Sequence, residues 1–361
     1  MFSKSGSRCI LSVAIGVAIT GWISPALAGP SDEAIDQQVE IGAQVAEAQA
    51  REAWRANVVR TEAPRQGCFR ADYPSVEWVE TACETVVPRV APTPPHPSAK
   101  LGGAHTLGAG ETTGNGHDYV IQSANLIKAT VGSFPTVSGV TSEKGVGVAA
   151  FGGGGILGPN EYSLQINSNY TGTTSACNGH SGCTVWQQFV YAPDYSRQGS
   201  AYVFIQYWLI GYGGTSCPSG WGSDGGGDCY RNSRGVSAPD EPITQLSSMK
   251  MTGTATSGGN DTVTFTHGTT AYSISASDSV VKLATVWRQS EFNVVGNAGG
   301  SMAQFNKGAS VTVHVAITDG TSNKPSCVAN AGSTGETNNL NLGSCTASAG
   351  SSPSIQFTES D

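Results

Sequence analysis

Charge is scarce in this chain. Asp, Glu, Lys and Arg make up only 13% of its 361 residues, far too few for a helical bundle or coiled coil, which is built from Ala, Glu, Lys and Leu in bulk. Basic residues are the scarcer kind, 19 Lys+Arg against 27 Asp+Glu. The resulting net charge of −8 leaves no basic footprint for nucleic acid. Beyond residue 28 no apolar run reaches the length of a membrane-spanning helix. There is no G-x-S-x-G elbow and no H-E-x-x-H helix, which disfavours a serine hydrolase or a zinc hydrolase. Paired C-x-x-C spacings are also missing, so neither a structural metal nor a cofactor is expected. Of the six histidines, His96, His105 and His117 fall in or near a linker, leaving His180, His267 and His314 without an Asp-His-Ser grouping around them.

What the chain does have begins with a leader. Lys4 and Arg8 precede a largely apolar stretch from Cys9 to Ile23, and Ala26-Leu27-Ala28 is a small-residue cleavage site; residues 1–28 read as a signal peptide and the protein as secreted, extracellular or periplasmic. Loss of Cys9 with the leader leaves eight cysteines for an oxidising compartment. Spacing invites local pairing of Cys68 with Cys83, Cys177 with Cys183, Cys217 with Cys229 and Cys327 with Cys345. Eight cysteines admit about 105 connectivities, and spacing alone does not select one.

Residues 29–98 divide into a helical stretch over 30–60, a small Cys-bounded unit over 64–87 and a Pro-rich linker, 88–97. The three together read as a pro-segment, with a plain spacer or a partner-binding arm as the alternatives. Residues 99–118 are a Gly-rich connector. From Tyr119 to Asp361 short alternating runs are separated by Gly, Asn and Ser turns: Leu126 to Phe134, Tyr162 to Tyr170, Thr184 to Tyr191, Tyr202 to Ile210, Thr262 to Phe265, Val280 to Trp287, Glu291 to Val295 and Ser310 to Thr318. That pattern predicts an all-β fold, an antiparallel β-sandwich of lectin-like or concanavalin-like type preceded by the helical segment. Gly145 to Gly158 reads as a loop without the Lys-Ser/Thr of a phosphate cradle.

Two strands carry polar side chains where a sandwich rarely puts them. Period-two alternation places Tyr162, Leu164 and Ile166 on one face, and Ser163, Gln165, Asn167 and Asn169 on the other. In the same way Trp287, Gln289, Glu291 and Asn293 share a face while Phe292 and Val294 turn to the core. Asp and Glu are depleted from strands, so Glu291 asks for a reason. Trp186 with Gln188, and Phe204 with Gln206 and Trp208, add aromatic rings and amides that together would pave one sheet face. A solvated outer face with an incidental carboxylate accounts for the same periodicity.

The order of segments resembles the glutamic peptidases of eqolisin type and, more distantly, neprosin. Residues 128–139, from Lys128 through Phe134-Pro135 to Gly139, resemble the first strand of that family. Leu164-Gln165 resembles its strand with the catalytic glutamine, and Trp186-Gln187-Gln188-Phe189-Val190-Tyr191-Ala192-Pro193-Asp194 is similar to its Trp-Tyr-Glu-Trp-Tyr-Pro segment. Ser290-Glu291-Phe292-Asn293-Val294-Val295 resembles its strand with the catalytic glutamate. Gln188 stands where the family has Glu, Gly296-Asn297 replaces an acidic residue, and the Cys pair between Gln165 and Trp186 is an insertion. The phrases Asn160-Glu161-Tyr162-Ser163-Leu164-Gln165 and Glu336-Thr337-Asn338-Asn339-Leu340 also resemble secreted bacterial β-rich proteins.

The resemblance implies an acid-acting endopeptidase and probes an extended polypeptide as substrate. Glu291 would be the general base and Gln165 the oxyanion donor, with Trp186, Gln188, Gln206, Trp208, Trp287 and Asn293 contacting substrate. Glu336 is the fallback carboxylate, with a loop-capping role as its alternative. The chain is expected to be a monomer. The competing functions are a carbohydrate-binding, lectin-like module that stacks sugars on the same aromatic face, with a polysaccharide as partner, and a structural surface protein.

Overall fold

The computed structural model describes residues 32–86, 118–147, 156–195, 198–213, 216–224, 226–297, 301–329 and 336–361. The expected leader 1–28, the linker 88–97, the connector up to residue 117 and residues 148–155 of the Gly-rich loop lie outside them. The chain forms two units, Met1–Glu47 and Ala48–Asp361. Helix α1 runs Asp32–Val58, rich in Ala, Gln and Glu and free of Pro. Its described side chains in the first unit are exposed, Val39, Ile41 and Val45 among them. In the second unit Trp54 and Val58 are buried with Ala71 and Ala271, and Trp54 Nε1 donates to the Ser75 carbonyl at 2.7 Å.

Strands then follow almost without interruption. β1 (Gly67–Asp72), β2 (Val79–Thr81), β3 (Glu84–Thr85), β4 (Tyr119–Gln122), β5 (Ala129–Ser138), β6 (Glu143–Gly147) and β7 (Gly158–Pro159) come first. Next are β8 (Ser163–Ser168), β9 (Thr184–Ala192), β10 (Ala201–Ile210), β11 (Gly222–Ser223), β12 (Cys229–Ala238), β13 (Lys250–Ala255), β14 (Asn260–His267) and β15 (Thr270–Ser277). β16 (Gln289–Val295), β17 (Ser301–Phe305), β18 (Ser310–Thr318), β19 (Ser326–Ala329), β20 (Thr337–Asn338), β21 (Asn341–Ser348) and β22 (Ser354–Ser360) complete the set.

These strands build two large antiparallel sheets packed face to face, a β-sandwich. The back sheet has the order β2-β1-β15-β14-β13-β5-β18-β22-β21. The front sheet has the order β11-β12-β10-β9-β8-β16-β4-β19, with β3 beside β12. A third, small sheet has the order β20-β17-β6-β7. Leu164, Ile166, Phe189, Val203, Ile205, Phe292 and Val294 of the front sheet share one core with Phe134, Met251, Val263, Phe265, Val313 and Val315 of the back sheet.

Two glycines in the back sheet shape this core. A Cβ on Gly132 of β5 would stand inside the ring of Phe292, and one on Gly253 of β13 would collide with the ring of Phe189. The rings of the front sheet therefore rest against bare backbone, and Phe292 also packs on Phe134 with ring centroids 4.9 Å apart. The four disulfides join Cys68–Cys83, Cys177–Cys183, Cys217–Cys229 and Cys327–Cys345. They fit an oxidising environment, and no described helix is long and apolar enough to cross a membrane.

Two expectations change. Residues 67–86 are not a unit apart from the β region that was expected to start at Tyr119: β1 pairs with β15 over six residues of the back sheet, and β3 pairs with β12 of the front sheet. Local spacing carries no sign of pairings this distant in sequence. The run Val280 to Trp287 is not a strand but two 3-10 turns, Asp278–Val280 and Leu283–Thr285. There the Ser277 hydroxyl accepts the Ser279 N–H and the Asp278 carboxylate accepts the Ala284 N–H. Such local side-chain bonds give the backbone an alternative to a ladder, and Lys282, at φ 58, turns the chain between them.

Gly132→Ala is expected to cost about 1–3 kcal/mol by overpacking, measured as a shift of the denaturant midpoint. Combined with Phe292→Leu the loss should be clearly less than additive. Strict additivity would mean that the ring and the glycine are not in contact.

Candidate functional site

The outer face of the front sheet carries the polar residues. β8 and β16 are antiparallel neighbours, with Glu291 directly across from Asn167 and Asn293 across from Gln165. Leu164, Ile166, Phe292 and Val294 take the core side, so alternation sends Gln165, Asn167, Glu291 and Asn293 to the other face. Gln165 and Glu291 are diagonal partners, a relation that spans roughly 7–8 Å between backbones and lies within reach of long side chains. Both are nearly inaccessible, at 3% and 2% exposure.

Hydrogen bonds join them through one amide. Asn167 Nδ2 donates to Gln165 Oε1 at 3.2 Å and to Glu291 Oε2 at 3.2 Å. Gln188, on the next strand, donates through Nε2 to the same Gln165 oxygen at 2.9 Å. Gln165 Nε2 in turn donates to Ser163 Oγ at 2.8 Å and to Glu336 Oε2. Glu336 is thus drawn to the glutamine rather than only capping its turn.

The network continues over β10 and β12. Trp208 Nε1 donates to Gln188 Oε1 at 3.1 Å and to Gln206 Oε1 at 2.9 Å. Gln206 Nε2 donates to Asn232 Oδ1 at 2.9 Å. Trp186 packs on Trp208 with centroids 5.8 Å apart, and Tyr230 lies against the other side of Trp208. All three rings are buried, and Trp186 Nε1 has no hydrogen-bond partner among the described residues.

Trp287 does not join this face. It precedes β16, which begins at Gln289, and follows the 3-10 turn Leu283–Thr285, so the alternation of the strand does not extend to it. Its ring is in the core beside Phe189, 5.6 Å between centroids, and its Nε1 donates to the Gln289 carbonyl at 2.7 Å.

Two acidic residues of the site, Asp118 and Glu359, were not foreseen. Asp118 leads into β4, which pairs with β16 on the side away from β8. Its carboxyl accepts a hydrogen bond from Asn293 Nδ2. Burial, then the charges of Glu291 and Glu359, push the Asp118 carboxyl well above the usual aspartate range, against the Asn293 bond. Glu359 on β22 accepts from Asn338 Nδ2 at 3.3 and 3.4 Å. Burial raises Glu359 to about 8, while Asn293 and Asn338 pull it down. An acidic residue at the end of a Gly-rich stretch is the only sequence signal for Asp118, and no periodicity points to it.

Chemically, the centre offers a carboxylate base, a side-chain amide beside it and further carboxyl groups able to hold protons. Among the described residues no group of three or more His, Cys, Asp and Glu is placed to hold a metal ion. Comparison with protein-family models, curated proteins and solved structures finds no match.

A second buried carboxyl lies on the small sheet. Burial and the neighbouring Glu161 raise Glu143 to about 9. Its contribution to stability is complete below the ordinary glutamate range near 4.3 and is lost as pH rises toward about 9. The loss is at most about 1.4 kcal/mol per pH unit. Tm should therefore fall from pH 4 to pH 8, and Glu143→Gln should flatten that fall. An equal slope in the variant would show that Glu143 does not hold its proton in the folded state.

Proposed function

We propose that the protein is a secreted, acid-acting endopeptidase of glutamic type, with Glu291 as general base and Gln165 as oxyanion donor. One observation carries the reading: Asn167 Nδ2 lies 3.2 Å from both Gln165 Oε1 and Glu291 Oε2, joining the two groups on one face of adjacent strands. Glu291 takes a proton from a water as its oxygen attacks the peptide carbonyl, then returns that proton to the leaving nitrogen. The Gln165 amide N–H that now meets Glu336 turns to the oxyanion of the tetrahedral intermediate.

The substrate is an extended polypeptide across the outer face of the front sheet. Gln188, Gln206 and Asn293 hold the polar centre, and the Trp186–Trp208 pair supplies the apolar end. Trp287, whose ring packs beside Phe189 on the core side of the front sheet, is left out of substrate contact. The protein acts as a monomer.

The test is digestion of an unfolded protein between about pH 3 and pH 7, a range around the glutamate value, by wild type, Glu291→Gln and Gln165→Ala. Wild type should cleave in acid. Glu291→Gln should lose about 10²–10⁴-fold, and Gln165→Ala about 10²–10³-fold, measured below the Tm of each variant, since Gln165→Ala also leaves the buried Asn167 and Gln188 amides without their acceptor. Absence of cleavage together with retention on a polysaccharide resin would replace this reading by the carbohydrate-binding one.

A further inference from the structure

The amide of Gln165 is almost fully buried, and both of its ends are engaged. A primary amide offers two hydrogens on nitrogen and two lone pairs on oxygen. Here Oε1 accepts from Gln188 Nε2 at 2.9 Å and from Asn167 Nδ2 at 3.2 Å. Nε2 donates to Ser163 Oγ at 2.8 Å and to Glu336 Oε2. Both hydrogens are therefore taken, one by a hydroxyl and one by a carboxylate.

The amide fits only this way round. An indole N–H donates and never accepts, so Trp208 Nε1 faces the Gln188 oxygen, at 3.1 Å, and leaves Gln188 Nε2 for Gln165 Oε1. On the other side the Ser163 hydroxyl gives its hydrogen to the Gly296 carbonyl at 2.8 Å, so Gln165 Nε2 meets a lone pair there. A donor-only group and an acceptor-only group thus fix the nitrogen of Gln165 toward Glu336. Ser163 is fully buried, whereas Glu336 is half-buried. The hydrogen for which a ligand can compete is the one on Glu336. Just beyond that residue the backbone is pinned to the end of β16: the Thr337 carbonyl accepts the Gly296 N–H at 2.9 Å, and Asn338 Nδ2 donates to the Val294 carbonyl at 3.1 Å. Release of the amide therefore falls to the Glu336 side chain.

We propose that Glu336 plugs the oxyanion position: its carboxylate holds the Gln165 hydrogen that a tetrahedral intermediate needs, and substrate binds by displacing it. The inference rests on Gln165 being the oxyanion donor. A carboxylate oxygen and an oxyanion make the same demand on an amide N–H, a charge-assisted hydrogen bond, so each excludes the other from a single hydrogen. The folded protein rests in the closed form, and its affinity for substrate is lowered by the fraction of molecules that are open. Glu336 touches the donor and not the substrate, and it is neither base nor acid in the reaction.

The experiment measures kcat and KM of full-length wild type, Glu336→Gln and Glu336→Ala on an unfolded protein at about pH 6, above the ordinary glutamate value. Glu336→Ala leaves the hydrogen free. KM should fall about tenfold with kcat little changed, the low end for a charge-assisted hydrogen bond because the site is half-buried. Glu336→Gln keeps an acceptor without its charge, and its KM should lie between the two. A residue that only shapes its loop would not produce that order. A lower kcat in Glu336→Ala would make Glu336 a catalytic acid and overturn the plug, and an unchanged KM overturns it too. The second readout is the side-chain amide resonance of Gln165 in isotope-labelled protein, which should move in Glu336→Ala; a resonance that stays in place overturns the plug. If no protein cleaves, the peptidase reading fails, while the amide resonance still decides whether Glu336 holds Gln165. Should Glu336→Ala not fold, Glu336→Gln goes through both readouts.

Discussion

The side chains that β16 gives to the candidate site owe their position to the ring of Phe292. Side chains alternate along β16, so a one-residue slip would send Glu291 and Asn293 into the apolar core and Phe292 to the outside. The slip is prevented from below: Phe292 enters a notch that exists because Gly132 has no side chain. Phe189 does the same at Gly253 beneath β9, the strand of Gln188. Burying a carboxylate costs several kcal/mol even after relaxation. The face that carries Glu291 is therefore held by packing on the opposite face of its strand, and the polar network operates within a register it did not set.

This explains what was legible in the sequence. Period two alone placed Gln165, Asn167, Gln188, Gln206, Trp208, Glu291 and Asn293 on one face, because each lies inside a strand whose core side chains are large and apolar. It failed for Trp287, two residues before the strand begins, where a turn had already broken the alternation. It was silent on Asp118 and Glu336, which lie just outside short strands: Asp118 comes to the site because β4 lies beside β16, and Glu336 by accepting a hydrogen bond from Gln165 of β8. The pairing of residues 67–72 with 270–275 likewise has no local signature. Fold class and disulfide pairing were readable because both are local; the composition of the site was readable only where it followed the pleat.

Carboxyl pairs recur beyond the site. Burial, followed by the charge of Asp194, raises Asp240 to about 6. Asp261, inside the sandwich, is raised by burial and then by the charge of Asp278. Glu143 is raised by burial and then by Glu161. Each of these acids binds its proton more tightly in the folded chain than in the unfolded one, so each favours the fold in acid and opposes it as pH rises. The same arithmetic governs Asp118 beside Glu291. A scaffold of proton-holding acids is thus at its most stable in acid. A scaffold stapled by charged pairs of opposite sign would instead lose stability as pH falls and its carboxylates take up protons. Acid pairs behave in the opposite way, because protonation removes the repulsion between them instead of an attraction.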